Sequence, residues 1–74
     1  MITWWNDKEI EVVKIDNRYI ALYGWNGESY TDCWEVEEVK NNIAFGVKAD
    51  NICVKPLYEQ INEDDYDIAG YEIV

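Results

Sequence analysis

The sequence predicts a mainly β fold, in which residues 1–74 form a single small domain of five or six short antiparallel strands. We expect these strands to form a bent sheet or a small SH3-like or OB-like barrel. Three observations support this fold class. Apolar and polar residues alternate in several short runs, and turn-forming residues such as Asn26-Gly27 separate those runs. The four Trp, six Tyr and one Phe supply a large apolar area for one compact core.

The first predicted strand covers residues 9–15. Apolar and polar side chains alternate from Glu9 to Val12, and they alternate in the opposite phase from Val13 to Ile15. A strand that changes its buried face midway is typical of a β-bulge. We therefore expect a bulge between Val12 and Val13.

The central element is a predicted hairpin around Asn26-Gly27, because this dipeptide favours a two-residue type I′ turn. Placing Trp25 opposite Glu28 gives one small aliphatic face and one aromatic face. The rings either form core or remain partly exposed as contacts for another protein. In the second interpretation the anchoring rings are Tyr23, Trp25 and Tyr30.

Further along the chain, a strand is predicted to end near Glu37. A second hairpin follows, with its turn at Asp50-Asn51. Leu57 and Ile61 are four residues apart, so a short helical turn is predicted over Pro56–Asn62. An acidic loop over residues 62–67 and a last strand over residues 68–74 complete the predicted fold.

The charge is the most unusual property of the composition. The chain has 16 acidic residues, 6 basic residues and no histidine, which gives a formal net charge of −10. Such a surface repels phosphates, so direct binding to DNA or RNA is not expected. Basic protein surfaces are the complementary partners.

The sequence lacks the residues of common catalytic and metal sites. Without histidine, the Ser-His-Asp and Cys-His arrangements are excluded, and no phosphate-binding glycine loop occurs. We predict no catalytic residue, no cofactor and no metal site. Cys33 and Cys53 form no CxxC motif, and we expect reduced thiols unless their strands are neighbours. The segment Asp65–Gly70 resembles part of a calcium loop, but Ala69 occupies a ligand position.

The N-terminal residues lack the basic and apolar regions of a signal peptide, and no apolar run reaches about 18 residues. We therefore expect a cytoplasmic protein that does not interact with membranes. Its oligomeric state is expected to be a monomer or a homodimer.

These observations predict a non-catalytic binding protein that presents an acidic patch to a basic surface, such as that of a nucleic-acid-binding protein. In size and charge the chain resembles the inhibitors of phages and mobile elements, among them DNA mimics and anti-CRISPR proteins. The resemblance assigns no residue. The alternative is a structural or assembly module that self-associates, or joins a complex, through the aromatic face. The predicted acidic patch consists of Glu35, Glu37, Glu38, Glu59, Glu63, Asp64, Asp65 and Asp67.

Overall fold

The computed structural model describes residues 2–74, and these residues form six β-strands and no helix. All six belong to one sheet with the order β1-β2-β3-β4-β5-β6, and each pairs with its neighbour in antiparallel fashion. The mainly β fold class is confirmed. The strands are β1 (Ile2–Trp5), β2 (Lys8–Ile15), β3 (Arg18–Leu22), β4 (Tyr30–Lys40), β5 (Ile43–Asn62) and β6 (Asp65–Ile73).

The sheet bends until it partly closes on itself. Trp4 of β1 pairs in parallel with Ile43 at the start of β5, and β6 contacts β2. This closure gathers side chains of β2, β3, β4 and β5 into one core, against which Tyr71 and Ile73 of β6 pack. The buried members of this core are Val13, Ile15, Ile20, Leu22, Cys33, Ile52 and Val54.

Three two-residue turns with left-handed backbone set the register of the strands that they join. Residues 6–7, 16–17 and 41–42 connect β1 to β2, β2 to β3, and β4 to β5, and all six residues have positive φ. Positive φ at both central positions is the requirement of a type I′ turn. Asn and Asp occupy these positions because they tolerate left-handed backbone better than other residues with a side chain.

The loop at Asn26-Gly27 differs from the predicted type I′ hairpin. Trp25 pairs with Tyr30, so the loop contains four residues, 26–29. The side-chain Oδ1 of Asn26 accepts hydrogen bonds from the backbone N–H groups of Glu28 and Ser29, both at 2.9 Å. The pairing is therefore shifted by two residues from the expected one. A shift of two keeps Ile20, Leu22 and Cys33 on their expected face, because the strand period is two. Tyr30 is the exception, since it was expected on the aromatic face and packs against the main core.

The expected bulge between Val12 and Val13 is wrong. The pairing of β2 with β3 continues without interruption from Glu11 opposite Leu22 to Ile15 opposite Arg18. Val12 is fully buried and Val13 is 9% exposed, although their side chains point to opposite faces of the strand. The change of phase in the sequence thus reflects a strand that is covered on both faces.

The predicted helical turn over Pro56–Asn62 is also wrong, because β5 continues through it. Leu57 and Ile61 are an even number of residues apart, and such a spacing fits one face of a strand as well as one face of a helix. Pro56 lies beyond the last pair between β4 and β5, which joins Tyr30 to Val54. One edge of β5 is unpaired there, and an edge tolerates a residue without an N–H group.

Two other predicted boundaries need correction. The turn expected at Asp50-Asn51 is a bulge inside β5, where Asn51 has a φ of 55° and the register with β4 shifts. A residue in left-handed conformation is common to turns and bulges, so the two are easily confused. In addition, β4 extends to Lys40 instead of ending near Glu37, and β6 begins at Asp65 inside the expected loop.

Candidate partner-binding surface

The end of the β5–β6 hairpin extends beyond the core as a two-stranded ribbon. We call residues 57–70 the acidic ribbon. Every residue from Leu57 to Ala69 is exposed. Beyond Val54, β5 pairs with β6 alone. The molecule is accordingly elongated, with principal extents of 41 × 24 × 22 Å.

The acidic ribbon carries negative charge on both strands and contains no basic residue. Glu59 lies directly opposite Asp67, and like charges at such positions destabilise a sheet. Lys55 and Glu72 form a cross-strand pair with opposite charges, but this pair lies at the base of the hairpin and outside the ribbon. The fold therefore tolerates uncompensated charge in this segment. The acidic side chains of the ribbon are Glu59, Glu63, Asp64, Asp65 and Asp67.

The acidic ribbon also exposes large apolar side chains, which the sequence reasoning did not assign to a site. Tyr58 pairs with Ile68, and the two are 57% and 44% exposed. Tyr66 is opposite Gln60 and is 64% exposed. Because side chains alternate along a strand, Tyr58 continues the face on which Pro56 is buried. Residues 54–60 show no regular alternation, since Leu57 is apolar between Pro56 and Tyr58, so the sequence carried no clear signal for this face.

Glu35 was predicted to belong to the acidic patch, but it is 6% exposed and paired inside the molecule. Its Oε1 accepts a hydrogen bond from Nε of Arg18 at 3.1 Å and lies 3.0 Å from Nη2 of the same side chain. Nζ of Lys48 is 3.8 Å from Oε2. Because Ile20 of β3 pairs with Glu35 of β4, Arg18 lies close to it on the neighbouring strand. Glu35 is thus already neutralised by the protein itself.

The remaining predicted acids fall into two groups. Glu37 and Glu38 are exposed on β4, and Glu38 pairs with Phe45 near the start of β5. The acidic ribbon lies at the opposite end of β5. The eight predicted residues therefore do not form one continuous patch. The largest group of them lies on the acidic ribbon.

The three predicted aromatic anchors differ in exposure. Tyr23 is 62% exposed and Trp25 is 48% exposed, so both rings are accessible. Tyr30 is half-buried and packs against the main core, and its ring centroid is 4.7 Å from that of Trp25. Trp25 therefore packs on a ring that the core holds in place. Because Tyr30 is itself held by the core, Tyr23 and Trp25 are the two predicted anchors that are exposed to a partner.

Both cysteines are free thiols in the described part of the chain. Cys33 is fully buried, and its Sγ lies 3.6 Å from the carbonyl oxygen of Tyr30 and 3.8 Å from that of Tyr23. Burial raises the pKa of the Cys33 thiol above its ordinary value of 9.0. Burial likewise raises the pKa of Tyr71 above 10.0. These groups are held in their neutral forms by the core that surrounds them.

The raised pKa values predict a loss of stability in alkaline solution. Below pH 9.0 the thiol is protonated in both states, but above it the unfolded chain loses the Cys33 proton before the folded protein does. The free energy of unfolding should therefore fall as the pH rises past 9.0, and Tyr71 should add to the fall past 10.0. Urea unfolding at a series of pH values measures this fall. A Cys33→Ala variant should show a smaller fall, and an equal one would exclude the thiol as its source.

Within residues 2–74, no group of three or more His, Cys, Asp or Glu side chains is placed to hold a metal ion. The same residues include no helix with the length and apolar character needed to cross a membrane. Comparison of the chain with protein-family models, curated proteins and solved structures gives no match to any of the three.

Proposed function

We propose that this protein is a non-catalytic acidic binding protein that docks on a basic surface of a nucleic-acid-handling protein. It would act as an inhibitor or DNA mimic of the phage or mobile-element type. The acidic ribbon is the observation that carries the proposal. Glu59, Asp65 and Asp67 lie on its two paired strands, and Glu63 and Asp64 lie in the turn that joins them. Within residues 2–74 no ion pair neutralises any of the five, so they offer their charge to another molecule. Charge of this kind steers association with a Lys-rich or Arg-rich groove that normally receives phosphates.

The apolar side chains of the acidic ribbon support the same proposal. Protein interfaces combine a central apolar contact with a polar rim, and Tyr is common among the residues that contribute most binding energy. Tyr58 and Tyr66 provide such contacts on one face of the ribbon, and Glu59 and Asp67 lie on the opposite face of the same strands. A second copy of the chain is disfavoured as the occupant of this face, because it would bring the same negative charges together.

A capture experiment with two charge variants tests the proposal. In the ribbon variant, Glu63→Gln, Asp64→Asn, Asp65→Asn and Asp67→Asn are combined. In the control variant, Asp7→Asn, Glu9→Gln, Asp16→Asn and Glu28→Gln are combined, which removes four exposed charges outside the ribbon. Both variants therefore have the same net charge. We expect the wild type and the control to capture a basic nucleic-acid-binding protein from bacterial lysate at low salt, and the ribbon variant to lose it.

High salt and added duplex DNA should both release the captured protein, because screening weakens the attraction and DNA competes for the same basic groove. Equal loss in both charge variants would show that net charge matters and the ribbon does not. Capture that DNA does not compete would contradict mimicry. The ribbon variant should be as stable as the wild type or more stable, since Asp67→Asn removes the repulsion with Glu59.

A second candidate function is that of an assembly module. It is favoured by a separate apolar surface where β1 meets β5, at which Trp4, Ile43 and Phe45 are 49%, 42% and 49% exposed. Exposed apolar patches of this kind are typical of contacts between proteins. Light scattering distinguishes the two functions. A homo-oligomer that persists in high salt and is dissociated by Phe45→Ser would favour assembly.

A further inference from the structure

Two tryptophan rings form the wall of a small cleft on the face opposite the main core. The ring centroids of Trp5 and Trp34 are 5.8 Å apart and their planes are inclined by 56°. Trp34 pairs with Ala21 of β3, which holds its backbone in the middle of the sheet. The ring of Tyr23 extends the row at 6.1 Å from that of Trp34. Because the rings are inclined and not stacked, they form a corner and leave space beside them.

Two carboxylates and an amide complete the cleft, which has a volume of about 320 Å³. Asp32 precedes Trp34 by two residues on β4 and therefore lies on the same face of the strand. Asp50 and Asn51 come from the bulge of β5, where the pairing shifts between Cys33–Ile52 and Glu35–Ala49. The lining residues are Trp5, Asp32, Trp34, Val47, Asp50 and Asn51.

The lining includes no basic side chain, and within residues 2–74 neither Asp32 nor Asp50 takes part in an ion pair. Both carboxylates are exposed. The cleft therefore combines indole rings with two negative charges that the protein does not neutralise. A phosphate would be repelled here, and an apolar group would have to displace water from the carboxylates without replacing its hydrogen bonds.

The chemistry of this cleft matches that of a cationic side chain. A cation near the face of a Trp ring is attracted by the negative charge of the ring face. Arginine fits such a corner better than lysine, because its planar guanidinium stacks on aromatic rings and donates hydrogen bonds to carboxylates in a fixed geometry. We propose that the cleft between Trp5, Trp34, Asp32 and Asp50 binds an arginine side chain of the partner protein. This inference rests on the proposed function, since it assumes a basic partner.

The binding of arginine can be tested without the partner. N-acetyl-arginine amide is titrated into the isotopically labelled protein, and the indole N–H signals of the four Trp residues are followed by NMR. We expect the signals of Trp5 and Trp34 to shift and that of Trp25 to stay in place. N-acetyl-citrulline amide has nearly the same shape and no charge, so it should cause no comparable shift. The lysine analogue should bind more weakly than the arginine analogue.

Two charge variants give the matched control. Asp50→Asn should weaken binding of N-acetyl-arginine amide about tenfold, a loss of about 1.4 kcal/mol, because a hydrogen bond to a charged group is lost. Asp16→Asn changes an exposed carboxylate in a turn outside the cleft and should leave the affinity unchanged. Equal binding of the citrulline analogue, or unchanged binding in Asp50→Asn, would overturn the proposal.

The capture experiment distinguishes this inference from the proposed function. If both are right, Asp50→Asn reduces capture of the partner as well as binding of the arginine analogue. If the arginine analogue binds but Asp50→Asn captures the partner as well as the wild type does, the cleft is not part of the docking surface and the inference fails. If the ribbon variant captures the partner normally, the proposed role of the ribbon fails, whatever the arginine titration shows.

Discussion

Replacing Ile20 by alanine should destabilise the protein by about 2–5 kcal/mol, because it removes a fully buried side chain and leaves a cavity in the core. A domain of this length is stable by only about 4–11 kcal/mol, so the variant should be close to unfolding. Ile20 belongs to the main core and pairs with Val13 on one side and Glu35 on the other. Urea unfolding measures the loss as a lower midpoint with an unchanged slope.

Ile61→Ala is the matched control for this prediction. The change is the same, but Ile61 is 61% exposed on the acidic ribbon, so its effect should be within about 0.5 kcal/mol. An effect of Ile61→Ala as large as that of Ile20→Ala would mean that the ribbon is covered in solution. A self-associating protein would then be the better explanation of the exposed apolar side chains.

Arg18→Met should destabilise the protein by about 1–3 kcal/mol, since within residues 2–74 it leaves the buried carboxylate of Glu35 with one cation, Lys48, at 3.8 Å. The side chain of Arg18 is 40% exposed, and solvent screening therefore makes the loss smaller than for a fully buried pair. Thermal or urea unfolding measures the loss. Lys40→Met removes an exposed cation and should have little effect.

The double variant Arg18→Met/Glu35→Gln shows whether the pair is responsible. Once Glu35 is neutral, loss of Arg18 no longer leaves a buried charge unpaired, so the second substitution should recover part of the stability. Additive losses in the double variant would contradict this account. In that case the contribution of Arg18 would come from packing of its aliphatic part and not from its charge.

The fold class could be predicted because the alternation of apolar and polar residues is a property of each single strand. It does not depend on how the strands pair, and neither does the aromatic content of the chain. The shared face of Ile20, Leu22 and Cys33 in the β3–β4 hairpin was also predicted correctly. The register was not, because Asn26 bonds to the backbone of its own loop and so replaces the two-residue turn by a longer one. Turn preferences alone do not distinguish these arrangements.

The candidate site was only partly predictable. The charge of the acidic ribbon was visible in the sequence, but its extended shape depends on Pro56 being tolerated at an unpaired strand edge. Pairing of Glu35 with Arg18 joins residues 17 positions apart, so it follows from the register of β3 and β4 and not from any local pattern. The cleft at Trp5 and Trp34 likewise needs a bulge in β5 to bring Asp50 to it.

Each strand pairs with the next one along the chain, so the protein can fold by successive closure of short hairpins. Little chain entropy is lost when a loop of two residues closes, and a low average separation between contacting residues is associated with fast folding. The parallel pairing of Trp4 with Ile43 is different, because it joins distant parts of the chain. We therefore expect the ring to close after the hairpins have formed, and folding to be faster than in β-sandwiches with crossed connections.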